Sequence, residues 1–329
     1  MRRRAAVHAA ALAAVAGDYV SQRSGHAIAN AAAQAAALMH LRFVHVGTVA
    51  RPVHPALSYT VVMELPVLGL IGAGRLASAL VAGWVAADLA CAARILATDR
   101  VGGVAESVAA AYGIGIRATP AEVAAEADLV LILVKPQDVP GAACEIATTL
   151  RAGAIVASAA AGVELATIRA NLAATTPVAR FMPNIPVAVG GGVSAVCGDA
   201  VAVEALMPWL EAVGVAMPID ESMFDAATAI SGSGPGMLAF VIEAFAVAAR
   251  SVGFSAADAD RLSVATFAGT GRYLAETGES ATALRERVTS PGGTTEAGIA
   301  ALDQAGLQDA LRAAAIAARD RSIELRGGR

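Results

Sequence analysis

The chain has 329 residues, 57% of them hydrophobic and 16% charged, with 24 Lys and Arg against 28 Asp and Glu for a net charge of −4 at pH 7. Arginines scattered among carboxylates argue against a nucleic-acid partner. No stretch of about 20 residues joins large apolar side chains to an absence of charge, so no membrane span is expected and a soluble, cytoplasmic protein is.

That length exceeds a usual single domain and predicts two domains plus a tail. Residues 1–64 differ from the remainder: Arg2, Arg3, Arg4, Arg23, Arg42 and Arg51 face only Asp18 and Glu64, amid alanine runs. All five histidines, His8, His26, His40, His45 and His54, fall in this segment. It is expected to be a disordered or untranslated extension. Its basic, acid-poor character suits a targeting segment, but Met63 directly precedes the first strand, and a start near Met63 is the reading we favour. Cys91, Cys144 and Cys197 lie far apart without metal-ligand spacing, as free thiols of a reducing cytosol do.

From Pro66 short apolar runs alternate with helical stretches, the pattern of a parallel sheet wound with helices. Strands are predicted at Val67–Gly72, Arg94–Thr98, Ile114–Arg117, Leu129–Val134, Ala154–Ser158 and Val178–Met182, with further pairing at Val193–Cys197 and Val213–Pro218. Helical spacing marks Leu76–Ala87, Gly102–Tyr112, Pro120–Glu126, Val139–Leu150 and the region near Val201–Glu211. The expected fold class is α/β: an N-terminal Rossmann-type doubly wound sheet over residues 65–222, then an all-helical domain over 223–329. The helices of the latter are predicted at Pro235–Val252, Ala256–Thr277, Ala281–Arg287, Thr294–Gln304 and Leu307–Leu325, with Phe240, Phe245 and Phe267 as large core side chains. A helical domain this short and apolar should complete its core with a second subunit, so a homo-oligomer is expected.

The first chemistry-bearing motif is the strand, glycine turn and helix of Val67-Leu-Gly-Leu-Ile-Gly72-Ala-Gly74-Arg-Leu-Ala77. Gly72 suits the tight turn, Gly74 admits a pyrophosphate to the backbone, Ala77 allows close packing, and the helix N-terminus favours the phosphate charge. The next strand ends at Asp99, which suits a ribose diol as in NAD sites, whereas Arg100 suits a 2′-phosphate; we lean to NADPH and leave NADH open. Lys135, the one lysine among the 24 basic residues, follows an apolar strand where such sheets bind ligands.

Two more glycine-rich stretches, Ser231-Gly-Ser-Gly-Pro235 and Thr289-Ser-Pro-Gly-Gly-Thr-Thr295, each read as opening a helix whose N-terminus would receive an anion such as a carboxylate. In the second, the grip is expected at the amides of Gly292 and Gly293. From Pro66 onward there is no histidine, which removes the His–carboxylate relay of 2-hydroxy-acid dehydrogenases and the triad of serine hydrolases. Imine reduction suits such a site, because a protonated C=N already attracts hydride and positioning outweighs acid–base chemistry.

Taken in order, Gly72-Ala-Gly74, Val134-Lys-Pro-Gln137, Ala160-Ala-Gly-Val163, Arg180-Phe-Met-Pro-Asn-Ile-Pro186, Ser231-Gly-Ser-Gly-Pro235 and Val288-Thr-Ser-Pro-Gly-Gly-Thr-Thr295 resemble the pyrroline-5-carboxylate reductases across residues 66–325. The resemblance implies a Rossmann domain followed by a helical dimerisation domain, and reduction of Δ1-pyrroline-5-carboxylate to proline by NAD(P)H. It implies that Gly72, Ala73, Gly74 and Leu76 face the pyrophosphate, and that Val134, Lys135, Pro136, Ala160 and Ala161 line the nicotinamide side. By the same resemblance Ser290, Gly293 and Thr294 hold the substrate carboxylate, and the Thr295 hydroxyl bonds the ring nitrogen. No metal is implied. The chain departs from the family pattern at Arg75-Leu76, where Arg75 is placed to add a phosphate contact, at Gly236-Met237 and at Ala121. A β-hydroxyacid dehydrogenase would need a lysine in the helical domain, which this chain lacks. A dinucleotide sensor or scaffold would not need the Thr289–Thr295 loop.

Overall fold

Strands β1 (Leu68–Ile71), β2 (Ile95–Thr98) and β4 (Leu129–Ile132) are buried at every position, as strands covered by helices on both faces must be. The computed structural model describes residues 66–88 and 92–326; the 1–64 extension, Met63, the histidines and Cys91 lie outside them. Among the described residues β3 (Gly115–Ile116), β5 (Ile155–Ser158), β6 (Val178–Met182), β7 (Gly192–Gly198) and β8 (Gly214–Pro218) complete one eight-stranded sheet of order β3-β2-β1-β4-β5-β6-β7-β8. Pairing is parallel from β3 through β6, then antiparallel between β6 and β7 and parallel between β7 and β8. The order reverses between β1 and β4, the switch point at which doubly wound sheets bind ligands.

Side-chain alternation divides the core in two. Leu68, Leu70, Leu129 and Leu131 point to one face, under α1 (Arg75–Ala86), α2 (Val104–Tyr112) and α6 (Ala200–Glu211). Ile71, Val130, Ile132 and Val156 point to the other, under α3 (Pro120–Glu126), α4 (Val139–Ile146) and α5 (Leu165–Arg169). The strand and helix bounds lie within a few residues of those predicted from periodicity; α5, a five-residue helix, has no such signal in the sequence.

On the first face Trp84 of α1 and Trp209 of α6 meet edge to face with ring centroids 5.4 Å apart, and the Trp84 Nε1–H donates to the Trp209 carbonyl at 2.6 Å. Trp84→Phe removes that buried donor and part of the ring; a loss of about 1–3 kcal/mol is expected from the orphaned carbonyl and the small void. Urea unfolding checks it: an unchanged midpoint would mean that the indole bond contributes nothing. At the far side of the sheet Asp199 accepts from Arg169 at 2.7 Å and from the Val178 amide at 2.8 Å, tying β6 to the β7–α6 turn. The Arg169 guanidinium, helped by that amide, holds the carboxyl below the ordinary carboxylate range.

The chain divides into two compact units, the second beginning at Ile219. In it α7 (Phe224–Ala227), a π turn (Thr228–Gly232) and α8 (Gly234–Ser251) follow one another, then α9 (Ala256–Thr277), α10 (Ala281–Val288), α11 (Thr294–Gln304) and α12 (Leu307–Arg326). The reading of Ser231–Pro235 as the opening of a helix holds at Gly234, where α8 begins with Pro235 in its first turn; Ser231 and Gly232 before it end the π turn. The stretch lies inside a continuous helical run, Glu221–Ser251. Pro235 brings no N–H and would crowd the carbonyl one turn back, so the helix widens there: the Ser233 amide donates to the Thr228 carbonyl, five residues back, at 2.8 Å.

A correction concerns the aromatic core. Phe245 and Phe267 do pack edge to face at 5.6 Å, but Phe240 is 72% exposed and Phe245 half exposed, with Leu238 and Val247 beside them. The run Glu221–Ser251 is long and apolar enough to cross a membrane by length and composition alone, a test that the core helix of a soluble protein also passes. Alanine and glycine spacing lets these helices approach, yet helices without a sheet leave too much apolar surface for one chain to cover. What closes the second unit from within is polar: buried Asp225 of α7 accepts from Ser322 Oγ at 2.7 Å and pairs with Arg326 at 2.8 Å, anchoring α12 beside the π turn.

Candidate functional site

The C-terminal ends of β1, β2, β4 and β5 gather the predicted dinucleotide residues at one edge of the sheet. Gly72 adopts φ +97°, and its amide donates to the Thr98 carbonyl at 2.9 Å. A Cβ there would stand 2.9 Å from the Leu133 carbonyl carbon and 3.1 Å from the Val134 nitrogen, so the absence of a side chain is what lets the β1 turn lie against the Leu133–Val134 peptide. Gly74 differs in role: it precedes α1, no side chain caps that helix end, and no atom lies within 4 Å of where its Cβ would be. An uncapped first turn at Arg75 and Leu76 with open space before it fits a phosphate group. Ala77 is buried beneath the turn, as close packing requires.

Lys135 is exposed at the end of β4 and begins the short 3-10 turn Pro136–Asp138. Ala160 is buried and Ala161 half-buried just after β5, where the Ala160 amide donates to Ser158 Oγ at 3.3 Å. Small side chains at this point leave room for a flat ring.

At the end of β2 the geometry is more specific than the sequence. One carboxylate oxygen of Asp99 accepts from the Ala73 amide at 2.7 Å and the other from the Val101 amide at 2.8 Å. Asp99 therefore braces the glycine turn. Arg100 reaches instead to Asp138, Nη2 to Oδ2 3.0 Å. Asp138 was not singled out from the sequence, and no sequence signal could have paired residues 38 positions apart.

In the second unit the loop Thr289–Gly293 ends on α11. Gly292 has φ +70°, and a Cβ on Gly293 would stand 2.5 Å from Ser290 Oγ, so Ser290 and Gly293 are packed against each other. The expected grip at the amides of Gly292 and Gly293 is not available, because the first donates to the Glu296 carboxylate at 2.7 Å and the second to the Ser290 carbonyl at 2.9 Å. One step further on is the first turn of α11, which begins at Thr294 and is capped by no side chain. Thr295 is half-buried in that turn. Ser231 is engaged within the helix, its hydroxyl donating to the Ala227 carbonyl at 2.8 Å.

The family model described as pyrroline-5-carboxylate reductase dimerisation matches residues 221–325, and that described as NADP oxidoreductase, coenzyme F420-dependent, matches residues 67–162. The chain is 38% identical over 265 residues to the pyrroline-5-carboxylate reductase of Corynebacterium melassecola, which spans 78% of this chain and 98% of that one. It is 36% identical over 267 residues to the enzyme of the same name from Methanosarcina acetivorans, with 80% and 99% covered. A solved pyrroline-5-carboxylate reductase from Coxiella burnetii superposes with a TM-score of 0.75 at 29% identity, covering 80% of this chain and 99% of its own.

Proposed function

Since the chain belongs to the pyrroline-5-carboxylate reductase family, we propose that it reduces Δ1-pyrroline-5-carboxylate to L-proline with a hydride from NAD(P)H, NADPH being preferred. It is an oxidoreductase of proline biosynthesis that works as a homo-oligomer, and the exposed apolar side of α8 lies in the segment matched to dimerisation. A second subunit gives Phe240 and its neighbours the cover that one chain lacks. The observation that carries the reading is the identity of 38% across 98% of a curated reductase, joined to a glycine turn that meets the Leu133–Val134 peptide at the switch point.

Within that reading the residues divide the work. Gly72, Ala73, Gly74, Arg75 and Leu76 receive the pyrophosphate, and Val134, Lys135, Pro136, Ala160 and Ala161 border the nicotinamide, which when bound supplies the hydride. Asp99 and Arg100 meet the adenosine ribose. In the helical domain Ser290, Gly293 and Thr294 seat the carboxylate, now with the first-turn amides of α11 as donors, and the Thr295 hydroxyl orients the ring nitrogen. Ser290 and Thr295 are thus the groups nearest the reacting imine. No residue need act as a strong acid, since the imine is reduced in its protonated form. Small water-soluble reactants suit an enzyme of the cytoplasm.

An absorbance assay of NADPH and NADH oxidation, with five- and six-membered cyclic imino acids, tests the activity; binding of NADPH without turnover of either imine would favour a sensor instead. One methylene changes discrimination by only about 1–3 kcal/mol, so some activity on the larger ring is expected. Arg100→Ala should weaken NADPH by about five-fold and leave NADH unchanged, the worth of one exposed charge-assisted contact of ~1 kcal/mol. Equal loss for both reductants would move the 2′-phosphate contact to another residue.

A further inference from the structure

We propose that Asp138 sets the preference between the phosphorylated and unphosphorylated dinucleotide by competing with the 2′-phosphate for Arg100. The inference rests on the dinucleotide reading given above. Arg100 follows β2 and Asp138 follows β4, and these two strands flank β1 on opposite sides. Their ion pair at 3.0 Å therefore crosses above the end of β1, where the glycine turn sits and where the adenosine end of a dinucleotide lies in such sheets.

The charges around that point act on a 2′-phosphate in opposite directions. Asp99 is held in place by the Ala73 and Val101 amides, so its negative charge cannot swing away from an arriving 2′-phosphate. Arg100 offers the compensating charge, but its guanidinium is committed to Asp138. The Arg100 side chain is 81% exposed and that of Asp138 26%: the arginine is open to an arriving ligand and the carboxylate is the more enclosed partner. A 2′-phosphate that engages the guanidinium through its other N–H groups must share its charge with the Asp138 carboxylate, whereas a free 2′-hydroxyl makes no such demand. Asp138 thus selectively lowers affinity for the phosphorylated form, and its effect is strongest at low ionic strength, where exposed pairs are least screened.

Asp138 is also a safe position to alter. It precedes α4 without capping any of its amides through the side chain, so Asp138→Asn keeps the shape and removes the charge.

The test is isothermal titration of the purified full-length enzyme with NADP+ and with NAD+, on the wild type, Asp138→Asn, Arg100→Ala and the double variant. Asp138→Asn is expected to tighten NADP+ by about two- to five-fold, the range of a surface ion pair, and to leave NAD+ unchanged. In the Arg100→Ala background the same substitution is expected to change neither ligand. If Asp138→Asn tightens NADP+ equally well without Arg100, the carboxylate acts only as a nearby charge and the competition is refuted. If Arg100→Ala weakens NADP+ selectively while Asp138→Asn does nothing, the inference alone fails. If Arg100→Ala leaves the ratio of the two affinities untouched, the assignment of Arg100 to the 2′-phosphate fails and the inference falls with it.

Discussion

Gly72→Ala should cost the enzyme most of its dinucleotide affinity, about 30-fold or more, while the sheet still folds. At φ +97° an L side chain is strained whatever its size. Its Cβ would also meet backbone atoms, the Leu133 carbonyl carbon at 2.9 Å and its oxygen at 3.0 Å, which cannot rotate aside as a flexible side chain would. Strain and overpacking together are worth about 2–4 kcal/mol. The loop can relieve them in one way, by lifting the turn away from β4, and that shifts Gly74 and the uncapped first turn of α1 away from the place where they would meet a pyrophosphate. Titration of the variant with NADPH reads the loss of affinity, and circular dichroism reads whether the fold persists. Affinity within two-fold of the wild type would show that the turn does not touch the cofactor.

Thr295→Val should instead lower turnover by about 10- to 100-fold, with NADPH affinity nearly unchanged. The two side chains have almost the same shape, so the difference is one hydroxyl, and losing one positioned hydrogen bond in the reacting complex corresponds to about 1–3 kcal/mol. Thr295 sits in the first turn of α11, whose N-cap position is Gly293 and which has no side-chain cap. The cap-like contact is made by Glu296 to the Gly292 amide at 2.7 Å, and the substitution leaves it intact. Valine in place of threonine should accordingly change helix stability by only a few tenths of a kcal/mol. Steady-state kinetics with the five-membered imine and an independent titration with NADPH separate the two effects. Equal kcat in wild type and variant would remove Thr295 from the reaction; a loss of NADPH affinity as large as the loss of turnover would place it on the cofactor instead.

The two predictions differ in how far the sequence alone supports them. That Gly72 belongs to a phosphate-binding turn is legible from the apolar run before it and the helix after it, because both periodicities are local. Its need for a positive φ and its approach to Leu133 are not, because those depend on β4 lying beside β1. The loop at Thr289–Thr295 is likewise recognisable by its residues, yet which amides are free to bind an anion depends on where the Glu296 side chain turns. Ser231–Pro235 shows the limit most plainly: the residues of a glycine-rich turn are all present, yet the first two of them close a π turn and Pro235 lies in the first turn of α8.

The sequence by itself determined the alternation of strand and helix, the histidine-free chemistry after Pro66 and the ordered motifs that mark the family, since each is written in neighbouring residues with periods of two or 3.6. Only the tertiary structure decided that Arg100 meets Asp138 over the end of β1, that Asp99 braces the glycine turn, that Asp225 anchors α12, and that the phenylalanines of α8 lie outward in a single chain. Those contacts join residues remote along the chain, and their energies depend on distance and burial, which no local pattern of side chains encodes.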